Sequence, residues 1–211
     1  MPLGGPDVLS GAAAARVGVF GGSFDPPHMG HLLVASDAVD ALALDRVLFV
    51  PTATQPLKHR GRAAAPAAAR VAMVRALVGD DARFAVEPLE IERGGLSYTV
   101  DTLDMLVARA PGAQWFLLVG TDVLSTFDRW RDPLRVRALA TLVVLAREVD
   151  GTDARAIPAR FPGGLPQLLP TRRIDLSSTE VRARVGAGRS IHGFVPDAVA
   201  AIIREARLYQ E

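Results

Sequence analysis

Two histidines three residues apart are the most reactive feature of the sequence. His28 and His31 stand at the predicted start of a helix, directly after a glycine turn and two prolines. That spacing places both rings on one helix face, and a helix start offers unpaired N–H groups to an anion. Gly21 and Gly22 allow a close backbone approach, and Gly30 is expected to leave room for a phosphate. Because imidazoles can bond to phosphate oxygens as charge develops, the segment predicts phosphoryl or nucleotidyl transfer.

Three other interpretations of this segment were weighed. An ordinary tight turn explains the glycines but leaves two histidines and two prolines unexplained. A dinucleotide-binding fingerprint requires G-x-G-x-x-G, whereas this segment has Gly18-x-x-Gly21-Gly22. A zincin-type metal site requires histidines at i and i+4 with a glutamate between them, and neither condition is met. Phosphate chemistry is therefore favoured, and no residue is assigned as a metal ligand.

Alternating apolar and amphipathic segments surround these residues and predict an α/β fold with a mostly parallel sheet. Strands are predicted at 16–20, 47–50, 84–86, 115–119, 141–145 and 167–169. Helices are predicted at 29–39, 67–78, 99–110, 178–185 and 197–206, with loops at 52–66 and 151–166. Residues 1–15 are rich in Gly, Ala and Pro and are expected to form a flexible tail, followed by a single domain over 16–211.

Composition excludes several classes of protein. The 211 residues include 24 Lys and Arg against 23 Asp and Glu, a net charge of +1. Near neutrality argues against partners such as nucleic acid or an anionic membrane. Cysteine is absent, which excludes disulfides, zinc–thiolate sites and cysteine nucleophiles. With no secretory pattern and no apolar run of about 18 residues, a cytoplasmic protein is expected.

A second group of polar residues opens the helix predicted near residue 178. Ser177 and Glu180 fit a capping box, in which hydroxyl and carboxylate each accept a backbone N–H. Arg182 is expected on the first turn, where a cation opposes the helix dipole unless an anion binds nearby. A well-capped helix explains the two capping residues, and a bound phosphate would explain the arginine.

Together, the two groups resemble the HxGH nucleotidyltransferase superfamily. The matching runs are Gly21-Gly-Ser-Phe-Asp-Pro-Pro-His-Met-Gly-His31 and Ser177-Ser-Thr-Glu-Val-Arg182. Within that superfamily, Gly94-Gly-Leu-Ser-Tyr-Thr-Val-Asp-Thr-Leu103, Gly120-Thr-Asp122 and Phe127-Asp-Arg-Trp130 are similar to bacterial nicotinate-mononucleotide adenylyltransferases. The resemblance spans Val17 to Tyr209. It implies a Rossmann-like, doubly wound fold with helices on both faces of the sheet.

The resemblance also implies an activity and roles for individual residues. The family joins nicotinate mononucleotide to the AMP part of ATP with Mg²⁺, giving deamido-NAD and pyrophosphate by direct in-line attack. The catalytic residues implied are His28, His31 and Arg182. Residues implied to bind ATP are Gly21, Gly22, Ser23, Phe24, Gly120, Asp122, Ser177 and Ser178. Residues implied to bind the mononucleotide are Lys58, Thr99 and Trp130.

Three of the residues with an implied binding role also have an alternative structural role. Lys58 is equally consistent with a solvated loop charge, Asp122 with a helix N-cap, and Thr99 with capping. Arg131 stands where the family often has an aromatic, and the 54–58 loop departs from the usual pattern, so base recognition is the least defined part. Rival functions are adenylyl transfer to nicotinamide mononucleotide or phosphopantetheine, and a non-catalytic nucleotide sensor. A homo-oligomer is left open.

Overall fold

Six parallel strands form one sheet in the order β3-β2-β1-β4-β5-β6. The computed structural model describes residues 15–56, 65–146 and 161–210. The strands are β1 (Arg16–Gly22), β2 (Arg46–Pro51), β3 (Phe84–Val86), β4 (Gln114–Gly120), β5 (Thr141–Ala146) and β6 (Gln167–Pro170). This strand order is that of a doubly wound Rossmann-like sheet, in which the direction of winding reverses beside β1. The predicted fold class is confirmed.

Helices cover both faces of the sheet because its strands are apolar on both sides. In β4, Phe116 and Leu118 pack on one face, while Trp115 and Leu117 pack on the other. The helices are α1 (Met29–Leu42), α2 (Ala67–Val78), α3 (Leu89–Arg93), α4 (Thr99–Arg109), α5 (Pro133–Leu139), α6 (Ser178–Gly186) and α7 (Asp197–Glu205). Helices α1, α2, α6 and α7 contribute buried residues to the first core, and α3, α4 and α5 to the second.

Each predicted strand and helix is present, although its ends differ by up to three residues. The predictions missed α3, α5 and the 3-10 helix Phe127–Arg129, while the short helix considered after the fourth strand is present as the 3-10 helix Thr121–Ser125. Helix α3 has five residues, too few to show a helical period. Helix α5 buries only Val136, but its start had a signal: Pro133 at the first position follows Asp132, whose carboxylate accepts the N–H of Arg135.

The predicted tail and loops are described only in part. Ala15 is described, and its carbonyl accepts the N–H of Gln114 at 2.8 Å. Thr54, near the start of the 52–66 loop, forms a parallel bridge with Leu96. Residues 1–14, 57–64, 147–160 and 211 lie outside the described ranges. Within those ranges, no helix has both the length and the apolar character required to cross a bilayer.

Candidate active site

The segment between β1 and α1, residues 23–28, is fixed by hydrogen bonds from helix α6. Ser178 Oγ donates to the carbonyl of Pro26 at 2.8 Å. Arg182 Nη1 donates to the carbonyl of Asp25 at 2.6 Å. The two sequence motifs, about 150 residues apart in the chain, therefore meet in the fold, as the resemblance required. Arg182 is the fifth residue of α6 and so lies on its second turn, not on the first turn as predicted.

Ser177 precedes α6 as its N-cap. Its Oγ accepts the N–H of Glu180 at 3.1 Å, which confirms that part of the predicted capping box. A capping hydroxyl of this kind stabilises a helix by about 1 kcal/mol. Because α6 carries Ser178 and Arg182, the cap also helps to hold the donors that contact the 23–28 segment.

His28 and His31 lie side by side at the start of α1. Their ring centroids are 3.7 Å apart with an angle of 33° between the planes. His28 is the N-cap residue, and its backbone N–H donates to Nδ1 of His31 at 3.1 Å. Because Nδ1 accepts this bond, a neutral His31 carries its hydrogen on Nε2. That N–H is then the donor which His31 can offer to a ligand.

Burial keeps both imidazoles neutral. It lowers the pKa of His28 from 6.5 to about 4. Burial, followed by the proximity of His28, lowers the pKa of His31 well below 6.5. Because removal from water disfavours the charged ring, the free protein holds two neutral histidines at pH 7. A bound polyphosphate would favour protonation, since it places negative charge beside both rings.

Gly30 leaves room for the ring of His28, while the expected room for a phosphate stays a prediction. A Cβ at this position would lie 2.9 Å from Nδ1 of His28 and 3.3 Å from Cγ2 of Ile174. Real Cβ atoms essentially never come within 3.0 Å of another heavy atom. Glycine is therefore required here because the ring of His28 occupies the space that a side chain would take.

The N-terminus of α1 offers fewer free donors than the sequence predicted. The N–H of Met29, its first residue, donates to the carbonyl of Phe194 at 2.9 Å. The N–H of His28 is already bonded to His31. These backbone groups would otherwise be available to an anion. The two imidazoles are consequently the main phosphate donors that this turn presents.

A cavity of about 790 Å³ opens at the carboxyl ends of β1 and β4. This is the point where the strand order reverses, and where ligands bind in open α/β sheets. The predicted site residues that line it are Gly21, Gly22, Thr99, Gly120, Asp122 and Trp130. The predicted residues outside its lining are Ser23, Phe24, His28, His31, Ser177, Ser178 and Arg182. Both groups adjoin the 21–28 segment, while Lys58 lies outside the described residues.

Phe24 has a different environment from the one that the resemblance implied. Its side chain is 2% exposed and belongs to the core. The ring packs edge-on against Phe20 and His31, with centroids 5.9 and 5.1 Å away. The ring of Phe24 thus packs against His31 and supports the histidine pair. Only the backbone of Phe24 is left to contact a nucleotide.

Gly120 and Asp122 lie together where β4 ends. A Cβ on Gly120 would come 2.7 Å from Oδ1 of Asp122, so glycine permits this approach. Asp122 lies within the first turn of the 3-10 helix that follows, and Gly120 is the N-cap. The alternative role of Asp122 as the N-cap is therefore wrong, and its exposed carboxylate faces the cavity.

The opposite side of the cavity is formed by the first turn of α4 and by Trp130. Tyr98 is the N-cap of α4 and makes no side-chain capping bond. The N–H groups at the start of α4 have no partner within the helix, and Thr99 is the first helical residue. Trp130 packs against Phe127 at a centroid distance of 5.2 Å. A helix start beside an indole suits an aromatic ring that carries an anionic group.

Glu90 was not predicted, yet it lines the same cavity with only 5% of its surface exposed. Thr102 Oγ1 donates to its Oε1 at 2.6 Å. Burial raises the pKa of the Glu90 carboxyl, opposed in part by the bonds to its oxygens and by Arg93. The signal in the sequence was weak, since Glu90 lies in the short helix α3 that the pattern did not predict.

Three further residues outside the predicted set fix the 23–28 segment. Arg70 Nη1 donates to the carbonyl of Ser23 at 2.7 Å, and Arg70 is 2% exposed. Tyr209 donates its hydroxyl hydrogen to Oδ1 of Asp25 at 2.7 Å, and the N–H of Ala65 donates to the same oxygen at 3.1 Å. Arg70 had a signal, because it lies four residues before buried Val74 on the apolar side of α2. Tyr209 had none.

Among the described residues, no group of three or more His, Asp or Glu side chains is placed to hold a metal ion. The carboxylate of Asp25 is engaged by Tyr209 and Ala65. Asp122 and Glu90 are the carboxyl side chains that line the cavity.

A family model described as cytidylyltransferase-like matches residues 19–184. A protein of Gemmatimonas aurantiaca named as a probable nicotinate-nucleotide adenylyltransferase is 50% identical over 198 residues, with 93% of each chain covered. A protein of Thermus thermophilus with the same name is 42% identical over 195 residues, covering 92% of this chain and all of that one. The family model defines the broad class, a cytidylyltransferase-like protein. Within that class, the chain belongs to the nicotinate-nucleotide adenylyltransferase family.

Solved structures agree on the fold. The nicotinic acid mononucleotide adenylyltransferase of Plasmodium falciparum, complexed with NaAD, superposes with a TM-score of 0.72. It covers 92% of this chain and 97% of its own, at 15% sequence identity. At that identity the similarity shows only the shared fold. The roles of the site residues rest on the contacts within this chain.

Proposed function

We propose that this protein transfers the AMP part of ATP to nicotinate mononucleotide, giving deamido-NAD and pyrophosphate. The observation that carries the proposal is the pair of adjacent histidine rings, with centroids 3.7 Å apart, at one end of the 21–28 segment, with the cavity at the other end. The family to which the chain belongs supports the choice of substrates. The cavity volume of about 790 Å³ suits a ligand of nucleotide size.

At the ATP end, the histidines act on the phosphates. The mononucleotide phosphate oxygen attacks the α-phosphorus of ATP, the bond from that phosphorus to the bridging oxygen breaks, and pyrophosphate leaves with the electron pair. No covalent intermediate with the protein is required, because this chemistry depends on alignment and charge stabilisation. The Nε2–H of His31 donates to an oxygen that gains charge, and His28 and Arg182 flank it. Lys58 is proposed as a further phosphate contact on the resemblance alone.

ATP enters this mechanism as its Mg²⁺ complex. The cation neutralises charge on the phosphate oxygens when bound and takes most of its ligands from them and from water. That mode fits a site whose described residues form no carboxylate cluster. The protein's own task is to orient the chain of phosphates. Gly21 and Gly22 allow it to approach the backbone, and Gly120 and Asp122 are proposed to hold the adenosine ribose.

At the mononucleotide end, Thr99 and Trp130 are proposed to bind the base. The indole of Trp130 stacks on the pyridine ring, and the N–H groups at the start of α4 receive its carboxylate. Both residues line the cavity, and Trp130 is supported from behind by Phe127. The rigid indole thus recognises the flat ring of nicotinate, and the helix start recognises its negative charge.

The test is pyrophosphate release from Mg-ATP with three acceptors in parallel: nicotinate mononucleotide, nicotinamide mononucleotide and phosphopantetheine. The proposal expects the highest kcat/KM with the first and expects deamido-NAD as its product. A preference for another acceptor would retain adenylyl transfer and overturn the substrate. No pyrophosphate with any of the three would favour a protein that only senses nucleotides.

A further inference from the structure

Arg131 lies at the wall of the cavity, directly after Trp130, with its guanidinium beside the start of α4. Its Cζ is 4.9 Å from the centre of the Tyr98 ring. Its Nη1 donates to Oδ2 of Asp101 at 3.2 Å. Tyr98 is the N-cap of α4 and Asp101 lies in its first turn. Both contacts therefore hold the positive charge next to the helix start that is proposed to receive the base carboxylate.

The ion pair with Asp101 is open to exchange. The side chains of Arg131 and Asp101 are 58% and 37% exposed, respectively. Water screens such a pair, so little free energy opposes its opening or sharing. A guanidinium has five N–H donors in a planar fork, and the pair with Asp101 uses one of them at hydrogen-bond distance. The remaining donors are available to an anion within the cavity.

The other charged groups lining the cavity do not compete for the same role. Arg129 belongs to the 3-10 helix before Trp130, and its side chain makes no hydrogen bond or ion pair with another described residue that would hold it beside α4. Glu90 is buried with a raised pKa, which weakens any repulsion of a carboxylate. Asp122, in the 3-10 helix that follows β4, is acidic and cannot supply a cation. Arg131 is thus the cation that the described contacts place at the start of α4.

Resting on the proposed function, we propose that Arg131 determines specificity for a mononucleotide whose base carries a carboxylate. In the bound state its guanidinium donates to the carboxylate of nicotinate, while the helix N–H groups approach from the other side. The corresponding amide has no negative charge and only one acceptor oxygen, so it would form a weaker bond and no ion pair with the guanidinium. Arg131 therefore discriminates acid from amide, and Trp130 binds the ring common to both.

The chain provides a matched control for this proposal. Arg135 forms an equivalent exposed ion pair one helical turn further along α4, with its Nη2 2.9 Å from Oδ1 of Asp104. Arg135 does not line the cavity. Replacing Arg135 therefore removes the same charge and the same kind of ion pair to the same helix, without touching the proposed ligand.

The experiment measures kcat and KM for nicotinate and nicotinamide mononucleotides in the wild type, Arg131→Ala, Arg131→Lys and Arg135→Ala. Arg131→Ala is expected to lower kcat/KM for the acid by roughly 10- to 100-fold, the size expected for a hydrogen bond to a charged group. The change should lie mainly in KM. For the amide the change should stay within about 3-fold, Arg131→Lys should restore part of the preference, and Arg135→Ala should retain it.

The outcomes separate this inference from the function on which it rests. If the wild type prefers the acid and Arg131→Ala keeps that preference, the inference is wrong while the proposed function stands. Equal losses with both mononucleotides would assign Arg131 to their common phosphate and would also overturn the inference. If the wild type itself does not turn over the acid, the proposed function fails, and the specificity role fails with it.

Discussion

The two neutral imidazoles define the chemistry of the site at the scale of single residues. His28 is held by the N-cap geometry of α1, and His31 by the N–H of His28. In the proposed mechanism neither needs a carboxylate partner, because both would donate N–H groups to an anion and would not remove a proton. Burial lowers the pKa of both rings, and this lowering makes the stability of the protein depend on pH.

The stability of the protein is expected to fall as the pH drops from 6.5 to about 4. In the unfolded chain His28 binds a proton below its ordinary pKa of 6.5, whereas in the folded protein it does so only near 4. Protons therefore favour the unfolded state in this window, by up to roughly 3 kcal/mol for this residue. Urea unfolding across the window should show a smaller slope for His28→Gln.

His192 supplies the control for that experiment. Its side chain is 85% exposed, so His192→Gln removes one histidine without changing a buried one. If wild type and His28→Gln lost stability in parallel between pH 6.5 and 4, the burial of a neutral His28 would be refuted.

Gly30→Ala is expected to reduce kcat by roughly 10-fold or more. The new Cβ would lie 2.9 Å from Nδ1 of His28, so the ring must move away from its position beside His31. A displacement of about 1 Å at a catalytic group can have an effect of this size or larger. Gly112→Ala is the matched control, since no atom lies within 4 Å of its added Cβ. Equal turnover of the two variants would show that the fit around Gly30 does not matter.

At the scale of elements, the sequence allowed most of the fold to be predicted. The β1–loop–α1 unit could be predicted because its glycines and prolines restrict the backbone conformation, while its histidines restrict the kind of ligand. Helices such as α2 and α4 repeat their apolar residues at helical spacing over three turns. His28 and His31 could be singled out from their spacing at a helix start, whereas the role proposed for Arg182 depended mainly on the resemblance, since a capping box alone is an ordinary helix start.

The residues that the sequence could not reveal act through long-range contacts. Tyr209 and Asp25 are 184 residues apart, and no local pattern couples them. Short elements such as α3 and α5 also escaped, because five or seven residues bury too few side chains to show a period. At the start of α1, the N–H of Met29 donates to the carbonyl of Phe194, and only folding brings that carbonyl there.

The segment after α7 is expected to position the loop that carries the histidines. Tyr209 donates to Asp25 at 2.7 Å, and burial together with this bond raises the pKa of the tyrosine hydroxyl. Tyr209→Phe removes the donor and leaves a buried carboxyl less satisfied, so unfolding free energy should fall by about 1–3 kcal/mol. We expect kcat to fall several-fold, with KM for the mononucleotide unchanged.

A double-mutant cycle with Asp25→Ala, which removes the accepting oxygen, checks that assignment. If the two side chains act through their mutual bond, the losses in stability and in kcat should be clearly non-additive. Additive losses would mean that Tyr209 stabilises the protein without positioning the loop.

At the scale of the whole molecule, the site exists because of the order of the strands. The sheet winds outward from β1 in one direction to β3 and in the other to β6. The crevice between the ends of β1 and β4 is therefore left open for a ligand. Helix α6 brings Arg182 to the carbonyl of Asp25, just after the strand end that lines this crevice, and α4 brings Thr99 to its lining. The proposed direct transfer requires the two substrates to meet between these residues.

The most direct test of this account compares pyrophosphate release from Mg-ATP and nicotinate mononucleotide by the wild type and by His31→Ala. Circular dichroism and unfolding should first establish that the variant is folded. The account predicts a fall in kcat of roughly 10²- to 10³-fold, the loss expected when one preorganised donor to a developing charge is removed. Wild-type turnover by a folded His31→Ala protein would contradict it.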